Sequence, residues 1–434
     1  MRPSLVVASG LATAAAETIH GVLVFARHGD RTTKHYCNQQ LTSLGAQQLF
    51  QVGSDYRARY LSSDSPHRIN GISEFKYESN QVYATAPDQG ILLNTATAFL
   101  QGLYPPLEDL NAQVTTLTLA NGTSVSSPLD GYQYVTLHGV EDESPNTIWI
   151  KGDDNCPAVT ASSSKWYESA EYKATYKSTL DFYRSLYPMV ADVYESANDL
   201  SYAKAYDIFD VFNVAHLHNA SSPASNITEE QLFQLRVLAD SAEFGLNYAR
   251  DDPVRSLHAA TLAGSIRSHL FETINSAAHN PKFTLLAGSY DTFLAFFGLT
   301  NLTEVSPDFY GLPQYASTMA FELFTEDGVT TADESTMRVR FLFRNGTEDA
   351  LKTFALFGTG KADLPWSEFS AKLQERGAIE DPATWCSICG SPAEFCAAYS
   401  SLELSSKSAD DKVSRGSWIA VLVVMCVAIV GNLV

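Results

Sequence analysis

The stretch that most limits what this chain can fold into is an apolar run that turns polar within one residue. Ile19 to Ala26 is mostly hydrophobic, and Arg27-His28-Gly29-Asp30-Arg31-Thr32 follows at once. Such a run reads as a strand buried in a sheet. A strand that ends in Arg-His-Gly-x-Arg sets an imidazole between two guanidiniums at a strand C-terminus, which is where open α/β sheets bind ligands. Gly29 carries no side chain beside the imidazole, which leaves room for backbone and substrate to come close. Arg27 and Arg31 present planar forks that match phosphate oxygens. A neutral His28 can attack phosphorus and carry the phosphoryl group. On its own, a basic triplet is an exposed strand-end cluster. Its place directly after a buried strand favours a site instead.

The chain of 434 residues is long enough for a large domain with an insertion. Its formal net charge is −20, which excludes nucleic acid as a partner and favours solubility. An anionic substrate is therefore drawn by a local basic pocket, against the field of the whole chain.

Both ends carry processing signals. Leu5 to Ala16 has almost no polarity and ends in Ala14-Ala15-Ala16, so 1–16 reads as a secretory signal peptide and the mature chain begins at Glu17. Trp418 to Val434 is almost wholly apolar, behind a polar spacer from Asp410 to Ser417 and small residues at Ser406, Ser408 and Ala409. That is the layout of a GPI-attachment signal. A single transmembrane anchor is the rival reading, although the run is short for the about 17–25 residues a spanning helix needs. Either way the membrane is a partner through the C-terminal tail, 401–434, and the protein is expected at the cell surface or outside the cell. Sequons at Asn121, Asn219, Asn226, Asn301 and Asn345 point to a glycoprotein. Cys426 lies in the tail, and the remaining Cys37, Cys156, Cys386, Cys389 and Cys396 are odd in number. An oxidising compartment favours disulfides and leaves at least one thiol over. Cys386-x-x-Cys389 has no second ligand pair behind it, so no zinc site is expected.

Further along, Thr42 is a good N-cap for a helix with Leu49, Val52, Tyr56 and Tyr60 on one face. Asn80 to Ala86 alternates as a second strand, and Pro87-Asp88-Gln89 reads as the start of a helix containing Leu92, Ala96, Phe99 and Leu103. From Ser164 to Asn198 the chain is strongly helical, with an aromatic stripe that is more often core than ligand box. Tyr202 to Ala215 and Glu229 to Ala249 continue in the same way. His216 and His218 do not have helical metal-ligand spacing. Lys282 to Ala287 returns to strand, ending in Gly288-Ser289-Tyr290-Asp291-Thr292, and Met337 to Arg344 alternates as an antiparallel strand.

The Arg27-His28-Gly29-Asp30-Arg31-Thr32 signature, the Leu41-Thr42-x-x-Gly45 helix start, the strand ending at Asp291-Thr292 and the Leu312-Pro313-Gln314-Tyr315-Ala316-Ser317 block resemble the histidine phosphatase superfamily. The match is to the histidine acid phosphatase branch, in the manner of a secreted fungal-type member with an altered active site. The resemblance implies an α/β fold, a doubly wound mixed sheet flanked by helices, with a mainly helical insertion domain. Its division would be 17–106 and 253–400 for the phosphatase core and 107–252 for the insertion that roofs the site. It also implies that Cys156 joins the C-terminal cysteine cluster, with the partner left open.

By the same resemblance, His28 is the nucleophile, Asp291 the general acid and base, and Arg27 and Arg31 the phosphate ligands. No metal and no cofactor is implied, since arginines supply the electrostatic stabilisation. Two of the family's ligands are absent. Ala84 stands in the place of an arginine, and Tyr290 in the place of a histidine, where its hydroxyl is a possible substrate contact. Lys34 and His35 follow closely behind the signature as partial replacements. The expected function is an acid phosphomonoesterase of reduced activity on a small phosphomonoester. A densely charged inositol phosphate is a poor match for so few basic ligands. The alternative is a non-catalytic anion-binding surface protein with a degenerate phosphatase site.

Overall fold

The computed structural model describes residues 17–36, 38–275, 281–329 and 332–399. The expected signal peptide 1–16, Cys37 and the tail 401–434 with its anchor lie outside the described residues. Among the described residues no helix is long and apolar enough to cross a membrane.

The apolar run is β1 (Thr18–Arg27), and it lies in the middle of the sheet. A strand buried on both faces reads as near-continuous hydrophobics, which is why Val22 to Ala26 shows no alternation. The chain then turns into α1 (Ser43–Tyr60), capped by the Thr42 hydroxyl accepting from the Gly45 N–H. β2 (Val82–Pro87) takes in Pro87, so α2 (Gly90–Leu103) begins later than the sequence suggests, with Gln89 at its N-cap. The strand end prevails because Pro87 aligns with Val140 of a neighbouring strand.

Short pieces follow: α3 (Leu107–Asn111), the hairpin β3 (Thr116–Thr118) and β4 (Ser124–Ser126), α4 (Pro128–Gly131) and β5 (His138–Val140). β5 pairs with β2 in the main sheet, although it falls within the stretch 107–252. Helices then dominate: α5 (Pro157–Ser164), α6 (Ala170–Ser185), α7 (Ala205–His218) and α8 (Glu229–Asn247). The long helix expected over 164–198 is broken. Ser169 caps a new start by accepting from the Tyr172 N–H, and Pro188 sits in a separate 3₁₀ turn.

α9 (Leu257–Asn275) leads to β6 (Phe283–Gly288) and α10 (Tyr290–Leu299). β7 (Thr318–Thr325), β8 (Arg338–Arg344), β9 (Lys352–Thr353) and β10 (Asp363–Pro365) close the sheet, and α11 (Trp366–Glu375) and α12 (Pro382–Cys389) follow. The sheet order is β10-β8-β7-β1-β6-β2-β5, with β9 on β8. β1, β6, β2 and β5 run parallel, whereas β7 pairs with β1, and β8 with β7, antiparallel. This is the doubly wound mixed sheet flanked by helices that the sequence implies.

Two cores sandwich the sheet. Val22, Val24, Ala26, Ala84 and Leu285 pack against α1 and α2 on one face. Leu23, Phe25 and Leu286 pack on the other with α9, α10 and residues of α6 to α8. The Cys156–Cys389 and Cys386–Cys396 disulfides join the start of α5 to α12 and the segment after it. They assign Cys156 the partner that the sequence leaves open.

Candidate active site

The site forms where β1 and β6 end. Arg27 aligns with Gly288 across the two parallel strands, so the residues after each leave the sheet side by side. This brings Arg27, His28 and Arg31 to the same end as Tyr290 and Asp291. Gly29 is needed here for a reason other than substrate access. A Cβ on it would overlap the Gly45 carbonyl oxygen, and one on Gly45 would overlap that of Asp30. The signature turn and the first turn of α1 touch backbone to backbone, and only glycine permits it.

His28 is 3 % exposed. Its Nδ1 lies 2.9 Å from the Gly29 carbonyl oxygen and donates to it. That bond leaves the lone pair on Nε2. Burial first, then the Arg27 and Arg31 charges, hold the imidazole well below its usual pKa, against the Gly29 bond that favours the cation. Its environment therefore favours the neutral imidazole with Nε2 free.

The two arginines are fixed by different means. Arg27 donates from Nη1 to the Pro313 carbonyl, and its Cζ lies 5.2 Å from the Tyr290 ring centre and 4.8 Å from that of Tyr315. Arg31 has no exposed surface and is clamped by α7. Its Nη2 lies 2.9 Å from Asp210 Oδ1, and it donates to Asp210 Oδ2 at 3.2 Å and to the Tyr206 hydroxyl at 2.9 Å. Burial works against its charge, but Tyr206, Tyr315 and Asp210 outweigh it and raise its pKa. Neither Arg27 Nε nor Arg31 Nε has a partner among the described residues. Two buried N–H donors beside a neutral imidazole suit an oxyanion, since a buried donor left unpaired costs about 1–3 kcal/mol.

Asp210 also accepts from the Thr33 hydroxyl at 2.8 Å and the Lys34 N–H at 2.6 Å, so one carboxylate orders the whole turn after Arg31. Asp30 is likewise anchored, by Gln48 at 2.8 Å to its N–H and by His218 Nε2 at 2.6 Å from its carboxylate. The turn holds Lys34 inward, with Nζ 4.7 Å from the Tyr290 ring centre and 5.2 Å from that of Tyr206. His35 points elsewhere, 3.1 Å from Asp207 on α7.

On the β6 side, Ser289 stands at the N-cap position of α10, and Tyr290 and Asp291 open its first turn. The Tyr290 hydroxyl donates to Glu243 on α8 at 2.8 Å, and its ring lies 4.7 Å from Tyr206. Asp291 Oδ1 accepts from the Thr292 N–H at 2.9 Å, at a helix N-terminus that favours a carboxylate. Asp153 lies near it. Its pKa is raised by burial, opposed by His258, and raised again by Asp291.

Ala84 has another place than the sequence suggests. It packs in the core facing α1 and α2, whereas Thr85 aligns with Leu286 and shares the face of Phe25 and Arg27. Thr85, with its hydroxyl donating to the His138 carbonyl at 3.0 Å, is thus the β2 residue on the site's face. It lines a cavity of about 250 Å³ with Tyr83, Ser265 and His269. Of the sequons, Asn121, Asn219 and Asn226 are exposed, and Asn301 and Asn345 half-buried.

The sequence model for the Histidine phosphatase superfamily (branch 2) matches residues 35–344. The chain belongs to that superfamily. It is 25 % identical over 384 residues to the lysosomal acid phosphatase of Xenopus laevis, covering 84 % of this chain and 78 % of the relative. It is 24 % identical over 299 residues to the prostatic acid phosphatase of Homo sapiens, covering 67 % of this chain and 66 % of the relative. Among solved structures, the phytase from Citrobacter braakii superposes with a TM-score of 0.56 at 12 % identity, over 83 % of this chain and 98 % of that one. The Klebsiella sp ASR1 phytase gives 0.56 at 14 %, over 83 % and 96 %. At such identities these structures establish the fold alone.

In this histidine phosphatase, sequence reasoning missed Tyr206, Asp210 and Glu243, which α7 and α8 bring to the site. One signal was available for Asp210. It is a carboxylate inside the apolar run Ile208-Phe209-Asp210-Val211-Phe212, and a buried carboxylate needs a partner. Tyr315 falls in the block that resembles the family, but nothing in the sequence shows that its ring covers His28 at 5.6 Å and Arg27.

Proposed function

We propose that this protein is an acid phosphomonoesterase that works through a phosphohistidine at Nε2 of His28. The observation that carries the reading is the neutral, Nδ1-bonded His28 between two buried arginines whose Nε donors are unpartnered. In the first step the Nε2 lone pair forms the N–P bond, the ester P–O bond breaks, and the departing alkoxide takes a proton from Asp291. In the second, water attacks phosphorus and yields a proton to Asp291, and the N–P bond breaks to release inorganic phosphate. Arg27 and Arg31 hold the phosphoryl oxygens as charge spreads over them. The substrate is a small phosphomonoester, because Tyr206, Tyr290 and Tyr315 crowd the arginines.

Activity is reduced relative to a full ligand set. Each cationic donor missing at a transferring phosphoryl group costs about two to three orders of magnitude in rate. We also read the protein as a secretory-pathway glycoprotein held at the cell surface, supported by its sequons and disulfides. Two observations favour the non-catalytic alternative: His28 is nearly closed off, and the Tyr290 hydroxyl bonds to Glu243.

Hydrolysis of an aryl phosphate by the full-length protein across the acid to neutral range, beside His28→Ala, decides between them. Turnover in acid that the substitution abolishes is the expected result. Equal rates in the two folded proteins would exclude the enzyme.

A further inference from the structure

We propose that Lys34 is a third cationic phosphate ligand of this site, and that Glu243 is the counter-charge that must be neutral for Lys34 to bind the anion. The inference rests on the acid phosphatase reading and goes beyond it, by assigning a ligand and a control of that ligand.

The geometry centres on Tyr290. The family resemblance implies a cationic imidazole at this position, and a tyrosine supplies no positive charge. The Lys34 ammonium lies over the face of that tyrosine, with Nζ 4.7 Å from the ring centre, and over Tyr206 at 5.2 Å. The lost charge thus returns from the signature turn, which Asp210 holds through the Lys34 N–H and the Thr33 hydroxyl. The hydroxyl of the same ring donates to Glu243 Oε2 at 2.8 Å. The ammonium on the ring's face and the carboxyl on its hydroxyl thus act on each other.

The groups that face Lys34 are Asp291 and Glu243, which favour its charge, and Arg27 and Arg31, which oppose it together with burial. Burial above all, with the two guanidiniums beside it, lowers its pKa. Glu243 faces Tyr290, Lys34 and Asp291, and the hydroxyls of Tyr167, Tyr202 and Tyr206. Burial pushes its carboxyl up to about 7, against the Tyr290 bond and Lys34, with Asp291 adding to the rise.

The sign follows directly. Below that pH Glu243 takes up a proton and no longer neutralises Lys34, and the Tyr290 hydroxyl no longer faces a carboxylate. Above it, the carboxylate offsets the ammonium and repels a dianion. The site then binds phosphate esters best in acid.

Sulfate is the probe, because its charge is constant where phosphate titrates. Its binding to the full-length protein is measured by calorimetry at about pH 5 and about pH 8, spanning the titration of Glu243. Wild type, Lys34→Met, Lys34→Arg and Glu243→Gln are compared, with thermal melts to confirm folding. We expect wild-type affinity to fall about tenfold at the higher pH, and Glu243→Gln to remove that fall. Lys34→Met is expected to weaken binding about tenfold in acid, and Lys34→Arg to restore most of it. Wild-type sulfate affinity in Lys34→Met, an unchanged pH dependence in Glu243→Gln, or no sulfate binding by the wild type would overturn the proposal. Sulfate binding as expected without aryl phosphate turnover would overturn the enzyme reading and leave this ligand assignment standing.

Discussion

The end of β1 and the end of β2 lie two strands apart in one sheet, and they are opposites. β1 delivers a dense polar cluster in which every residue from Arg27 to Lys34 except Gly29 is held by at least one side-chain or ring contact. β2 delivers Ala84 into a hydrophobic core and Thr85 to a neighbouring carbonyl, beside a cavity of about 250 Å³, and no cation. On the proposed reading, the contrast teaches that the β1 end holds its groups for attack on phosphorus by many interlocking contacts, and that the β2 end supplies fewer groups for holding the anion. The β1 side cannot drift without collapse, because Asp210, Arg31, Gly29 and Gly45 are locked together. The β2 side has no such interlock.

That asymmetry can be broken on purpose. Ala84→Arg carries the largest expected effect. The side chain would enter the core facing α1 and α2, and an unpaired buried cation costs several kcal/mol. We expect the protein not to fold, as read by circular dichroism, and a soluble folded variant would show that the face assignment is wrong. Asp210→Ala comes next. It strips a buried partner from Arg31, an effect of about 3–5 kcal/mol on stability. Chemical denaturation measures it, and a loss below about 1 kcal/mol, the range of a surface pair, would mean that the clamp is not structural. Thr85→Arg has the smallest effect and runs in the opposite direction. It places a cation on Arg27's face beside an existing cavity, and we expect a folded protein with kcat/KM raised about tenfold, a modest part of what one donor supplies. A rate no higher than wild type would mean that the β2 end does not limit this site.

The sheet was legible because β1 and β6 are buried on both faces, and such strands announce themselves as unbroken apolar runs that end in polar signatures. Arg27, His28 and Arg31 stood out for the same reason, at the end of a buried strand, whereas Tyr290 and Asp291 stood out through the family resemblance; the parallel pairing of β1 and β6 brings all five to one end of the sheet. The register of β2 was not. The sequence shows Ala84 and Thr85 alternating, but which of them faces the site depends on pairing with Leu285 and Leu286, some 200 residues away. The clamp was not legible either. Asp210 and Glu243 lie on helices whose spacing gives a buried face but not what that face covers. The break at Ser169 came from capping chemistry overriding a continuous helical pattern. Gly29 shows the same limit in a single residue. Its smallness was visible, but not the Gly45 backbone in the next helix that requires it.

The most direct test of the account is to trap the intermediate. Full-length protein is mixed in acid with an aryl phosphate labelled in its phosphoryl group and quenched in alkaline denaturant, which preserves a phosphorus–nitrogen bond. The protein-bound label is then mapped. The account predicts label on His28, absent from His28→Ala. Turnover with no label on the protein, or label on another residue, would contradict it.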